Sequence, residues 1–248
     1  MQNCENCGFK KWWKTNAYET VIRGEEKVKV RMWRCCRCGY VQAESPPFTR
    51  QTPKILYFDI ETALMNVDIF NLFVPGKYIS WRNIRQKSFV VSWAAGWVGK
   101  RGIQSAALTP HEARTGNDRR ILWILRNLMD LADFTAGHNN KVFDEKFVNY
   151  RFLKNNIPAP LSHKSVDTLS MARKYFKNAS NALEHWSLDL GADAKDDMNI
   201  EDWKLVSNGD AAAIRKMERY NRGDVRNGMI VLKRFTDWLE SGGVKVYR

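Results

Sequence analysis

The sequence predicts an α/β protein, a mixed sheet flanked by helices, preceded by a small cysteine-rich module. Three observations predict it. All five cysteines fall within the first 38 of 248 residues. Residues 43–53, with three prolines, polar filler and no periodicity, read as a break between two parts. Beyond the break, apolar runs of strand length alternate with stretches of helical period. A chain of this size holds one ordinary domain with a satellite. Its composition, 44% hydrophobic and 27% charged, excludes wholesale disorder.

In the first module, Cys4-Glu5-Asn6-Cys7-Gly8 and Cys35-Cys36-Arg37-Cys38-Gly39 are two copies of one C-x-x-C-G unit. Two-residue spacing lets both thiolates of a tight turn reach one ion about 2.3 Å away, and the glycine supplies the backbone angles the turn needs. Between them, Val28 and Val30 alternate with Lys27 and Lys29 as in strands, after a turn at Arg23-Gly24-Glu25. The pattern resembles a zinc ribbon over residues 1–45, with one structural Zn²⁺ on Cys4, Cys7, Cys35 and Cys38. Cys36 is the odd thiol, and a disulfide or redox role is the alternative. A module this small buries little core, so zinc binding is also its folding free energy. Lys10-Lys11-Trp12-Trp13-Lys14 alternates charge with flat rings, the composition that follows phosphates and stacks on bases. Trp12 and Trp13 fit that role and equally, with Trp33, a miniature core. Residues 46–53 are then a linker and residues 54–248 the larger domain.

Forty Lys and Arg against 27 Asp and Glu leave a net charge of +13, which favours a polyanionic partner. The longest mostly apolar stretch, residues 89–98, is about half of what a spanning helix needs, so no membrane partner is expected. The first ten residues lack the apolar run of a secretory leader, and clustered cysteines suit a reducing compartment. A soluble, intracellular, cytoplasmic protein is expected.

From Lys54 the elements follow in order. Residues 54–58 form a short apolar run that emerges into Asp59-Ile60-Glu61-Thr62, a buried strand ending in acids. Residues 89–98 make a second strand, and past a turn at 99–102 residues 103–108 make a third, giving a meander. Ile121, Leu122, Leu125, Leu128 and Met129 have helical spacing within residues 118–131. A short strand at 134–136, helices at 143–153 and 168–175, and a long helix at 211–239 complete the domain. The chain contains neither G-x-x-x-x-G-K-[ST] nor G-x-G-x-x-G, which removes the main support for triphosphate- and dinucleotide-binding folds.

Asp59 and Glu61 share one face of their strand, and two carboxylates at the end of a buried strand repel unless a cation joins them. Asp144 falls in the first turn of a helix, where the dipole favours an anion. Tyr220 and Asp224, at i and i+4, stack on one helix face. Gly223 and Gly228 in that helix each cost about 1 kcal/mol relative to alanine, a cost accepted where something approaches closely.

Asp59-x-Glu61, then Gly137-His138-Asn139-x(4)-Asp144, then Tyr220-x-x-x-Asp224, at intervals of about 80 residues, resemble the DEDD superfamily of 3′→5′ exonucleases. The Tyr220 to Val225 phrasing and the helix at 182–191 look most like predicted exonucleases related to the proofreading domains of family B DNA polymerases. Arg219 stands where the histidine subtype has its histidine, so the tyrosine subtype fits. The resemblance spans residues 54–239. Two departures are a long segment between Glu61 and Phe89 and no following polymerase domain.

The resemblance implies a ribonuclease H-like fold and two-metal hydrolysis of single-stranded DNA ends, releasing nucleoside 5′-monophosphates. It makes Asp59 the bridge between two Mg²⁺ or Mn²⁺ ions, with Glu61 and Asp224 completing one and Asp144 holding the other. Tyr220 orients the attacking water. Leu64 and Met65 are candidates for contact with the terminal base or for core packing. Asn139 is a further substrate-binding candidate and, with His138, shapes the loop before Asp144. Asp167 is read as the cap of the next helix. Two other readings stand beside this one: an exoribonuclease, and a non-catalytic adaptor for nucleic acid or for replication or repair proteins.

Overall fold

The computed structural model describes residue 4 and residues 6–23, 26–42, 53–69, 79–161, 164–192 and 197–247, without the side chains of residues 14–31 and 42. The chain divides into two compact units, residues 1–52 and 53–248. The expected linker lies almost wholly outside the described residues, as do two residues of the expected Arg23-Gly24-Glu25 turn and the Val28/Lys29 side-chain alternation.

In the smaller unit, β1 (Trp12–Arg23) pairs antiparallel with β2 (Glu26–Cys35), and β2 pairs with β3 (Val41–Gln42). Trp33 and the thiols of Cys4 and Cys35 are its buried apolar groups among the described side chains. With so little to bury, this unit needs another source of stability.

In the larger unit, β4 (Ile55–Thr62) leads through β5 (Asn66–Val67), a 3₁₀ turn (Trp81–Asn83) and β6 (Ile84–Gln86) to β7 (Val90–Trp97) and β8 (Ile103–Ala107). Then follow α1 (Pro110–Thr115), α2 (Arg119–Asp130), β9 (Phe134–Gly137), α3 (Asp144–Lys154), β10 (Lys164–Asp167), α4 (Thr168–Tyr175), α5 (Leu183–Asp189), α6 (Ile200–Ser207) and α7 (Ala211–Ser241). The five-stranded sheet has the order β10-β9-β4-β7-β8. The meander β4-β7-β8 is antiparallel, and β9 and β10 add parallel to it, so the sheet is mixed as the sequence predicts. Among the described residues no helix is long and apolar enough to cross a membrane.

Alternation along β4 divides the core. Leu56, Phe58 and Ile60 join a cluster with Ile121, Leu122 and Leu125 of α2 and Val148 and Phe152 of α3. Ile55 and Tyr57 join a second with Met171 of α4, Trp186 of α5 and Val225, Val231 and Phe235 of α7. Helix α7 belongs to both: Ala213, Ile214 and Met217 pack in the first cluster and its later turns in the second. Tyr220 to Asp224 sit at the changeover.

One polar tie crosses the first cluster. Arg151, 1% exposed, grips Asp118, 0% exposed, through Nε to Oδ2 at 2.6 Å and Nη2 to Oδ1 at 2.7 Å. Oδ2 also accepts the Val90 N–H at 2.9 Å. A buried charge tolerates its site only when paired and hydrogen-bonded in this way. Asp118 is therefore a brace between α3 and β7, and its side chain does not cap α2.

The β4–β7 pairing does not end at the sheet. After Thr62↔Val90, the Ala63 N–H donates to Phe89 O at 2.9 Å, Asn66 pairs with Gln86 and Val67 with Ile84, and the Asp68 N–H reaches Asn83 O at 2.8 Å. Register shifts at Glu61/Thr62 and at Asn66/Val67 bend it. β5 and β6 are thus the outer end of one two-stranded ribbon whose inner end carries Asp59 and Glu61.

Candidate active site and metal centre

In the smaller unit the two C-x-x-C-G segments fold alike. The Gly8 N–H donates to Cys4 O at 2.7 Å and the Gly39 N–H to Cys35 O at 3.0 Å, with Gly8 at φ 71° and Gly39 at φ 76°. Glycine takes that left-handed conformation with least strain. The turns bring the sulfurs of Cys4, Cys7, Cys35 and Cys38 within 4.8 Å of one another, with Cys4–Cys38 and Cys7–Cys35 both at 3.6 Å. Thiolates about 2.3 Å from a tetrahedral zinc stand about 3.8 Å apart, so the group fits that ion. Cys36, in the same turn, lies outside the group. Trp33 is buried in the unit's small core, while Trp13 is 45% exposed. Protein prepared without chelators is expected to carry about one zinc per chain, and Cys35→Ser to lose it; wild-type zinc well below that defeats the assignment.

In the larger unit, carboxylate oxygens of Asp59, Glu61 and Asp224 lie within 4.8 Å of one another. Strand alternation places the first two on the face toward α7, and α7 delivers the third from 163 positions beyond Glu61. Three hard oxygen donors in so small a space fit a divalent cation of the Mg²⁺ or Mn²⁺ type. The Asn221 Nδ2–H donates to Asp59 Oδ2 at 2.6 Å, and Asn221 is fully buried. Asn221 is a site residue that the sequence reading missed; its only local signal is its place beside Tyr220.

The fourth predicted acid stands outside this group. Asp144 is 4% exposed, and its Oδ1 accepts the N–H of Ile60, the residue between Asp59 and Glu61, at 3.1 Å. Burial pushes its carboxyl up to about 7 against the pull of the Ile60 hydrogen bond, with Glu145 and Asp167 adding repulsion. The unfolded chain ionises near the ordinary value of 3.8 and the fold only near 7, so stability falls as pH rises between them, by up to about 4 kcal/mol. Without divalent cations, Asp144→Asn is expected to melt above wild type at about pH 8, the difference closing toward about pH 4 in thermal scans. An unchanged difference across that range contradicts the burial argument.

The loop before Asp144 is held from below. His138 meets Thr168 Oγ1 through Nδ1 and Asn181 O through Nε2, both at 2.9 Å, so both ring nitrogens are engaged in structure. Asp167 Oδ1 accepts the N–H groups of Leu169 and Ser170, capping α4 as expected, and also that of Asn139 at 3.0 Å. Asn139 takes φ 64°, and its carbonyl accepts from Val142 and Phe143, so its backbone builds the turn into α3. Tyr220 lies one turn before Asp224, its ring meeting Trp203 of α6 edge-on at 6.3 Å and 75°. Leu64 is half-buried and Met65 is 49% exposed.

The fold and the site thus define a mixed α/β unit with an acidic centre on its middle strand, joined to a four-thiol unit. Among solved structures the chain is similar to the family B DNA polymerase of the hyperthermophilic archaeon Pyrobaculum calidifontis, with a TM-score of 0.60 and 16% sequence identity. The match covers 92% of this chain and 29% of that one, and at this identity it speaks for the fold. No family model and no curated protein matches the sequence.

Proposed function

We propose that the chain is a metal-dependent 3′→5′ exonuclease of the DEDD type, tyrosine subtype, with a ribonuclease H-like fold, acting on single-stranded DNA ends. The observation that carries this reading is the convergence of Asp59, Glu61 and Asp224 within 4.8 Å. Their motifs resemble those of family B proofreading domains, and the similarity in fold is to a family B DNA polymerase. Cations held by Asp59, Glu61, Asp224 and Asp144, when bound, supply Lewis-acid activation of water and offset charge at the departing 3′-oxygen.

The chain's own groups do the rest. Asn221 fixes the Asp59 carboxylate from behind, so its rotamer is set before a substrate arrives. Tyr220 acts through its hydroxyl as a hydrogen-bond partner that orients water, because a phenol that ionises near pH 10 is a poor base at neutral pH. The surplus of Lys and Arg gathers the phosphate backbone, and the four-thiol unit, with exposed Trp13 beside Lys14, adds to that grip. Thiol ligation of zinc suits an intracellular, reducing setting.

With Mg²⁺ or Mn²⁺, wild-type protein is expected to shorten a 5′-labelled single strand in single-nucleotide steps, and Asp59→Ala to leave the strand intact. DNA and RNA strands digested side by side decide the sugar, with DNA cut faster. Equal degradation by Asp59→Ala removes the site assignment, and inert wild type on both strands makes the chain a binding adaptor.

A further inference from the structure

The outer end of the β4–β7 ribbon has no part in the acidic site, yet it is built outward from it. From Glu61 to Asp68 the chain spans at most roughly 20 Å at about 3.3 Å per residue, shortened by the two register shifts that bend the ribbon. At that end stands the 3₁₀ turn Trp81–Asn83, capped by the Ser80 hydroxyl, which accepts the Arg82 N–H at 3.3 Å. Trp81 is 70% exposed, among the most exposed of the large apolar side chains described. The Arg82 guanidinium lies 5.0 Å from its ring centroid. Arg85, on β6, is bonded to Asp68 across the ribbon at 2.7 Å, and Lys87 is exposed beside it. Among the described residues Arg82, Arg85 and Lys87 stand against Asp68 and leave this end positive, the reverse of the acidic inner end.

Among the described residues, neither core cluster accounts for a large flat ring held out in water with a guanidinium on it. Stacking on a base removes it from water, is tolerant of sequence because every base has a π-face, and places phosphates within reach of neighbouring cations. We infer that the outer ribbon is a strand-binding arm, on which Trp81 stacks a base and Arg82 and Lys87 meet phosphates, several nucleotides away from the end held at Asp59, Glu61 and Asp224. The occupant is single-stranded nucleic acid, and the inference rests on the nuclease reading only for the direction in which the strand runs. The arm sets a preferred substrate length: short strands that do not span the ribbon lose its contribution.

The test measures affinity by fluorescence anisotropy for dye-labelled oligo(dT) and oligo(U) of increasing length, with no Mg²⁺ or Mn²⁺ added so that nothing is cut, and without chelator so that the zinc stays in place. Wild-type affinity is expected to rise with length until the strand reaches the arm and then level off. Trp81→Ala loses that rise, about tenfold on a long strand; Trp81→Phe keeps most of it; and Arg82→Ala lowers the salt slope by about one. Because Trp81 is exposed, the melting temperatures of these variants stay at the wild-type value, which separates lost stacking from lost structure. Equal affinity of Trp81→Ala and wild type at every length overturns the arm, as does a loss that is the same for the shortest and longest strands. The oligo(dT) and oligo(U) series tell DNA from RNA as the occupant. Wild type that binds with this length dependence but cuts neither strand in Mg²⁺ or Mn²⁺ sinks the nuclease reading and leaves the arm standing.

Discussion

Asp224→Asn is expected to slow strand degradation about a thousandfold while leaving the fold as stable as wild type, or more so, when no divalent cation is present. The two effects have opposite signs for one reason. Three carboxylates within 4.8 Å repel, and an amide of nearly the same volume relieves that repulsion without opening a cavity. The same relief removes an anionic ligand, and losing several kcal/mol of charge stabilisation in the transition state corresponds to about three orders of magnitude in rate. Thermal scans with and without Mn²⁺ read the first effect directly: wild type gains stability from the ion and Asp224→Asn gains little. Asn221→Leu provides a graded comparison. It keeps the branched shape in a somewhat larger side chain and removes the amide that donates to Asp59, so a loss of about 10- to 100-fold in ion affinity is expected. If both variants take up Mn²⁺ like wild type, the three acids are not an ion site.

Gly228→Ala is expected to destabilise the larger unit by about 2 kcal/mol, although alanine is the better helix former by about 1 kcal/mol. A Cβ at Gly228 would stand 2.0 Å from the Tyr57 hydroxyl and 2.3 Å from its Cζ. Tyr57 is 1% exposed on β4, so the ring has nowhere to go, and overpacking of this kind costs about 1 to 3 kcal/mol beyond any propensity gain. The structure instead relieves the clash by moving α7 from β4. Since Tyr57 is two residues before Asp59 and Gly228 one turn after Asp224, that movement separates the acids, and Mn²⁺ affinity falls with stability. Chemical denaturation and calorimetric titration measure the two losses; a more stable Gly228→Ala protein shows that the helix is not pressed against the strand there.

The sequence made the strands and helices with strong apolar patterns readable. Residues 54–62 and 89–98 are runs of β-forming residues, and Ile121, Leu122, Leu125 and Met129 repeat at helical spacing. What it missed is short or weakly patterned. β10 is Lys164-Ser165-Val166-Asp167, with one apolar residue, and becomes a strand through its register with β9. α1 and α6 are only six and eight residues long, yet both carry capping boxes, Thr109 with Glu112 and Asn199 with Asp202, polar signals present in the sequence. Asp118 was legible as a helix start but not as the partner of Arg151, since that contact spans 33 residues.

The site divides the same way. Tyr220 and Asp224 follow from helical spacing and Asp59 with Glu61 from strand alternation, both local rules. Asn221 acts on a residue 162 positions away, so only the docked α7 reveals it. The spare aromatic and basic residues after Met65 were legible only as a departure from the motif pattern, because their meaning depends on the register that continues β4 past the sheet.

The order in which α7 is made has a consequence for the living cell. Asp59, Glu61 and Asp144 all leave the ribosome before this helix, which alone brings Asp224 and Tyr220 and which fills part of both core clusters. A nascent chain therefore carries an unfinished, ion-poor centre for most of its synthesis. The acidic group is complete only when this last described helix docks, so under the proposed nuclease reading a half-folded chain could not cut messenger or genome near the ribosome.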